Sequence, residues 1–519
     1  MTINNPYNQQ QIPPQMGQGM MPPPPPRHRM PMPRPMLGQR KLFPDWLTRN
    51  AIIVYVLALA VVTLMYNTYA LPWYYMLSGV MSIVIFFFYG SHLAVRLSPL
   101  RMHRERVFEQ RIFLIAFIPR VLWMFLIYYL FMQNYGDAFG FENGDATYYD
   151  EMGTFVSDMI SKGQFNFVSE IAHWNGGRDD ISDMGYGIYV GLVYYLTDNS
   201  IITVRLLKCI WSSLTVLLIY RLAKRNFSPQ TARIAAIFCA LWPNFWYYCG
   251  VHLKETEMVF LCVLFVEQTE QMLRSRQFTV WKVIPILIIA AIIFTFRTVL
   301  AIVLILALLF TIIMSSSRVV RWGKRIIVGL LAVALVGVIA GDTISEQTSE
   351  LIEEVRSDKQ VKNMEWRANR ENGNAFAKYA STAVFAPLIF TIPFPTMVEP
   401  FKGQEVHELL NGGNFVKNIL SYFTIFAMVI LLLTGRWREH LLSLSFLLGY
   451  LLVLTMSTFA QSERFHQPVM PFEFMFAAYG LSIAVTKSKY KRWFTYWCGL
   501  MFIAAIAWNW FKLAGRGLV

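Results

Sequence analysis

Long apolar runs recur along this chain from Ala51 to Trp510, and clusters of Lys and Arg close alternate gaps between them. A helix needs ~20 apolar residues to cross a bilayer, and a chain that repeats such runs cannot bury them all in one aqueous core. The composition agrees, with 55% of the 519 residues hydrophobic and only 15% charged. The fold class is therefore an all-α polytopic membrane protein, with about thirteen transmembrane helices by hydropathy and charge asymmetry.

The basic clusters orient the runs. Ala51–Tyr66 and Trp73–Val95 precede the basic loop Arg96–Arg106, which the positive-inside rule assigns to the cytoplasm. The N-terminus is then cytoplasmic, and Ile112–Met132 leads outward. Gly185–Leu196 is too short to span at a rise of ~1.5 Å per residue and reads as an interfacial helix on the outer surface. Ile201–Leu222 then returns to the basic Arg221–Arg225, Ala232–Cys249 exits, and Met258–Leu273 comes back. Val283–Phe296 and Val299–Met314 form a tight pair around Arg297, leading to the cluster Arg318–Arg325 and the exit of Ile326–Ala340. Phe415–Leu433, Leu441–Phe459, Val469–Val485 and Phe494–Trp510 complete the set and leave the C-terminus outside.

This order divides the chain into a Pro-rich cytoplasmic tail (1–45), two additional N-terminal helices with a basic loop (46–111) and a membrane core (112–340). The core holds a first outer loop at 134–199 and is followed by an outer polar segment (341–414) and the C-terminal helices (415–519). The tail, with its run Pro22–Pro26, cannot bury a core and reads as disordered. Cys209, Cys239, Cys249, Cys262 and Cys498 show no Cys-x-x-Cys pair and read as small buried hydrophobes. The net charge of +14 belongs largely to cytoplasmic loops, so it gives no ground for nucleic-acid binding.

One stretch departs from the membrane pattern. Phe139–Glu151 carries Glu142, Asp145, Asp150 and Glu151 with Tyr148 and Tyr149, immediately past an apolar run. Its plain reading is a solvated loop turning at Asn143-Gly144. Other unusual polar residues fall on the same outer side: His173-Trp174, Arg178 to Asp180, Arg205, His252, Lys254-Glu255, Arg297 and Glu463-Arg464-Phe465-His466. Ion pairing among helices accounts for some of them. Acids, cations and aromatics gathered on one face also suit a site for a sugar and a phosphate. Aromatics stack on sugars, a carboxylate takes a hydroxyl proton, and Arg, Lys or His holds phosphate.

Several motifs in order give this a family resemblance. Asp145-Ala-Thr-Tyr-Tyr149 is followed by the Tyr-rich segment to Leu196, by Arg205 and by Tyr220-Arg-Leu-Ala-Lys224. Trp242-Pro243, Lys254-Glu255 and Arg464-Phe-His-Gln-Pro468-Val-Met-Pro471 come next. The chain resembles the GT-C class of polytopic glycosyltransferases, in the branch with protein O-mannosyltransferases and lipid A aminoarabinose transferases, from about Ile112 to Val485. It differs in having two helices before the core, and Gly187 where the family usually has Pro. The resemblance implies a GT-C-like fold with interfacial helices in outer loops and a polyprenyl-phosphate-linked sugar donor. It implies an acceptor hydroxyl on a glycan, lipid or protein, and a site on the periplasmic or lumenal face of the cell (inner) membrane.

In that scheme Asp145 is the general base of an inverting transfer, and Glu255, also counted as catalytic, positions the acceptor or orients a cation. Arg205, Arg297, Arg464, His466 and Lys254 are candidates to hold the carrier phosphate. Tyr148, Tyr149, His173, Trp174 and Tyr186 are candidates to bind substrate. No metal-ligand set is evident, so no cofactor is required, although a divalent cation is compatible. The competing classes are a polymerase or ligase of lipid-linked glycans, a transporter, and an envelope assembly scaffold.

Overall fold

The computed structural model describes residues 44–99, 101–102, 104–140, 143–172, 182–275, 280–315, 386–399, 409–457, 460–485 and 488–519. Most of the Pro-rich tail, His173, Trp174, the Arg318–Arg325 cluster, the run Ile326–Ala340 and the charged 346–370 stretch lie outside these residues. Among the described residues the chain is helical and forms no strand. Six helices are long and apolar enough to cross a membrane: α1 (Asp45–Met65), α2 (Trp73–Arg96), α3 (Glu105–Tyr135), α6 (Ile201–Asn226), α12 (Asn411–Leu433) and α15 (Ser488–Ala514). Shorter apolar helices accompany them: α10 (Val283–Phe296), α11 (Thr298–Met314) and α13 (Leu441–Met456). The other helices of eight or more residues are α4 (Asn143–Ser161), α5 (Met184–Thr197), α7 (Pro229–Leu241), α8 (Pro243–Gly250), α9 (Glu255–Arg274) and α14 (Met470–Ala484), and short turns such as Phe167–Ala172 and Glu463–His466 lie between them.

Side-chain contacts sort the helix ends onto two faces. On one, the start of α3 meets the end of α6 through Arg221–Glu109 (2.9 Å) and Lys224–Glu105 (2.5 Å). The end of α9 joins them through Arg225–Glu267 (2.6 Å) and through Asn226, which donates to Glu270 (2.7 Å). His440, before α13, reaches Asn226 at 2.9 Å. The opposite ends of these helices, with the α10–α11 junction, form the other face, where the polar residues below gather. The alternation read from charge therefore holds for α3, α6 and α9.

The single run Ala232–Cys249 is broken at Trp242-Pro243 into α7 and α8. Proline has no N–H to give back to the preceding turn, so carbonyls near the break need other donors. The wholly buried Arg120 of α3 supplies two, to Cys239 O and Ala240 O at 3.0 Å each, and Trp246 Nε1 donates to Ala240 O at 2.8 Å. A second irregular stretch, 386–399, is buried against α12. Asn418 donates to Pro393 O (3.1 Å), Asn411 to Thr396 O (3.3 Å), and Lys417 to Ile392 O. Non-helical backbone among apolar helices is tolerable when side chains satisfy it in this way. All five cysteines are free and buried.

Candidate active site

Asn143-Gly144 opens a helix, where a loop turn is the plain reading of the sequence. Asp145 thus sits in the first turn of α4, where the partial positive charge of the helix N-terminus favours a carboxylate. The preceding loop is fixed by local bonds. Asp137 accepts from the backbone N–H groups of Phe139 (2.7 Å) and Gly140 (2.8 Å). Arg205, at the start of α6, donates to Ala138 O.

Helix α4 lies directly on α5, and glycine makes this close approach possible. A Cβ on Gly191 would come within 2.5 Å of Val156 Cβ. One on Gly187 would collide with Met152, and one on Gly153 with Val190. The Gly187-x-x-x-Gly191 spacing places both glycines on one face of α5, as at close-packed membrane helix pairs. The glycine that replaces the family's usual proline is thus a packing requirement here. Both ends of α5 stay on the site face: Asp183, just before it, pairs with Lys254, and Tyr194, near its end, donates to Asp150. Asp150 is therefore half-buried and engaged, where the sequence suggested a solvated carboxylate. Burial raises its carboxyl above the ordinary range, against the lowering effect of the Tyr194 bond.

The centre of the site is Arg464, carried on the short turn Glu463–His466. Its Nη1 donates to Asp145 and its Nε to Glu255, so one guanidinium joins carboxylates from α4 and α9. The two acids differ in setting: the Glu255 side chain is fully buried, whereas that of Asp145 is 57% exposed. Burial alone would raise the Glu255 carboxyl, but Arg464, Arg297 and Lys254 together hold it below its ordinary value. Arg464 itself is held firmly protonated, because these carboxylates outweigh its burial.

Arg297 lies in the extended link between α10 and α11. Its guanidinium stacks on the Phe465 ring at 4.4 Å, and its buried Nη1 has no hydrogen-bond partner among the described residues. Lys254 is buried, donates to Phe296 O at 3.0 Å and pairs with Asp183. Burial and then Arg297 push its ammonium well below the ordinary lysine range. Tyr149 is buried beneath this group, with Lys254 Nζ 5.7 Å from its ring centre and Tyr186 meeting it edge-on at 4.9 Å. Tyr148 is half-buried beside it, ring to ring at 5.8 Å.

The structure thus brings together Asp145, Tyr148, Tyr149, Lys254, Glu255, Arg297 and Arg464. Tyr186 stands one layer behind, its hydroxyl 3.3 Å from Lys208, which pairs with Glu257 at 3.1 Å. Arg205 and His466 are both buried away from the Arg464 cluster. Arg205 donates to Ala138 O and lies over the Tyr128 ring, and its buried Nε and Nη1 have no partner among the described residues. His466 binds Lys417 through Nδ1 (2.7 Å) and Ala460 O through Nε2 (2.9 Å). His466 thereby anchors the turn that presents Arg464. Asp183, Lys208 and Glu257 were not picked out from the sequence. For Asp183 the signal available was an acid directly before a Tyr- and Gly-rich helix. Among the described residues no group of three or more His, Cys, Asp or Glu side chains is placed to hold a metal ion.

The family model for dolichyl-phosphate-mannose-protein mannosyltransferase matches residues 186–340. That span includes Tyr186, Arg205, Lys254, Glu255 and Arg297, while Asp145 and Arg464 lie on either side of it. No curated protein and no solved structure gives a match. The family match, together with the all-helical membrane architecture, supports a membrane glycosyltransferase of the GT-C type.

Proposed function

We propose that this chain, a membrane protein similar to GT-C glycosyltransferases, transfers a sugar from a polyprenyl-phosphate carrier to an acceptor hydroxyl, with inversion at C1. The supporting observation is the juxtaposition at Arg464. A half-exposed carboxylate, Asp145, is held by Arg464, while Arg297, stacked on the adjacent Phe465, forms no ion pair with a carboxylate among the described residues and leaves its buried Nη1 without a partner there. The acceptor oxygen attacks C1 of the sugar and Asp145 takes its proton. The C1–O bond to the carrier breaks, and polyprenyl phosphate leaves with the bonding electrons.

A phosphate leaving group needs charge stabilisation and no added proton, and Arg297 is placed to supply it. Lys254 lies near the same end, paired with Asp183 and donating to Phe296 O. Glu255 is too deeply buried to meet a substrate, so its part is to hold Arg464, and through it Asp145. The step requires no metal in this reading, and a divalent cation is compatible with it. The site face is the outer face in this reading, because the opposite face carries Arg221, Lys224 and Arg225, and basic residues collect on the cytoplasmic side.

The test is turnover of polyprenyl-phosphate mannose by the purified protein, with membranes from cells lacking the protein as the source of acceptors. Release of polyprenyl phosphate is expected from the wild type, with at least a tenfold loss of kcat/KM in Arg297→Ala. No release by the wild type, or an unimpaired Arg297→Ala variant, would refute the reading.

A further inference from the structure

Asp145 is not the only half-exposed carboxylate at this centre. Asp183 precedes α5 with its backbone in the left-handed region (φ 72°), a conformation more often taken by Gly or Asn. Its side chain is 44% exposed, and it pairs with the buried ammonium of Lys254. Lys254 in turn donates to Phe296 O, one residue from Arg297. The arrangement repeats that of Asp145 and Arg464: a buried or nearly buried cation holds a carboxylate whose remaining surface faces outward.

Resting on the transfer reading above, we propose that Asp183 binds a hydroxyl of the transferred sugar and sets which sugar the protein accepts. The argument is positional. Arg297 is the candidate to hold the carrier phosphate, and the sugar is bonded to that phosphate. Lys254 touches both Asp183 and the carbonyl of Phe296, the residue before Arg297, so the Asp183 carboxylate is placed to meet the ring of a sugar whose phosphate is held by Arg297. An ionised carboxylate only accepts hydrogen bonds, and a sugar hydroxyl is a donor that can satisfy it. Lys254 removes much of the cost of keeping that carboxylate ionised beside a substrate. Asp183 does not exchange a proton in the reaction, so its effect falls on recognition.

A site built to bind a particular hydroxyl discriminates strongly against a substrate that lacks it, because its polar group is then left without a partner. The test uses polyprenyl-phosphate mannose and its four monodeoxy analogues at C2, C3, C4 and C6, turned over by wild type, Asp183→Ala and Asp183→Asn. In the wild type, one deoxy donor should fall at least tenfold in kcat/KM below the parent. In Asp183→Ala that penalty should shrink to within about threefold, while the penalties at the other positions stay unchanged.

Asp183→Asn guards against simple misfolding, since it keeps the size and can still accept a hydrogen bond. It should retain part of the discrimination. If every deoxy penalty is the same in Asp183→Ala as in the wild type, Asp183 does not read the sugar, although the transfer reading stands. If the wild type does not turn over the parent donor, the transfer reading fails and this inference fails with it. Equal loss on all donors, reproduced by Asp145→Asn, would assign Asp183 to catalysis and overturn the recognition role.

Discussion

Replacing Arg464 by Ala removes one cation from two carboxylates of opposite exposure, and the structure separates the consequences. Glu255 is fully buried, so losing its partner leaves an uncompensated charge in a low-dielectric interior. Breaking such a buried pair costs about 3–5 kcal/mol. Arg297 and Lys254 also bear on this carboxyl, which places the expected loss near the lower figure. Asp145 is 57% exposed, and a solvent-facing ion pair is worth about 0–1 kcal/mol. The stability effect of Arg464→Ala should therefore come almost wholly through Glu255. Adding Glu255→Gln should restore most of it, because the stranded charge is then gone.

Asp145→Asn should behave in the opposite way, losing under about 1 kcal/mol of stability. It should lose about 10²–10⁴-fold in transfer rate, the usual contribution of a general base. The assays are denaturant unfolding of detergent-solubilised protein and release of polyprenyl phosphate from a lipid-linked mannose donor. The reasoning is refuted if Asp145→Asn unfolds as easily as Arg464→Ala, if Glu255→Gln gives no rescue, or if Asp145→Asn turns over at the wild-type rate.

Acid should test the same clamp. The folded-state value of Glu255 lies below its ordinary 4.5, so its contribution is complete above that value and is lost as pH falls further. The stability gap between wild type and Glu255→Gln should thus be constant from neutrality down to pH ~5 and narrow only below 4.5. Gly191→Leu should force α4 and α5 apart, costing about 1–3 kcal/mol with a matching loss of transfer. Gly499→Leu serves as its control, because a Cβ there meets no atom within 4 Å. His466→Phe should lower stability by about 1–3 kcal/mol, by leaving Lys417 short of a partner, and should lower transfer as the turn that presents Arg464 loosens. A cysteine at Asp137 and one at Arg104 should label from opposite sides of the membrane, since α3 separates them by roughly 45 Å at 1.5 Å per residue. Labelling of both from one side would contradict the two-face arrangement.

The apolar runs determined the helices, because each run must satisfy its own backbone whatever its neighbours are. Val283–Phe296 is the predicted helix to the residue, and Arg297 interrupts the pair where its charge and polarity suggested it would. The grouping of Asp145, Lys254, Glu255, Arg297 and Arg464 on one face was also legible, since hydropathy and basic clusters fix the alternation of helix ends. What they do to one another was not. Arg464 and Asp145 are 319 positions apart, and no local pattern says that one guanidinium serves both Asp145 and Glu255.

Packing likewise assigned Arg205 and His466. As isolated cations on the outer face they looked like phosphate ligands. In the folded chain both are buried: His466 is engaged by Lys417 and Ala460 O, and Arg205 donates to Ala138 O while its Nε and Nη1 have no partner among the described residues, a placement that only the assembled helices define. Gly187 shows the same division. Its presence was evident in the sequence, but its purpose depends on how closely α4 approaches α5. Local chemistry sets which segments are helical and which face is polar. Which charge is spent on structure and which is left for a substrate is decided by helix packing, because a buried ion must find its partner in space.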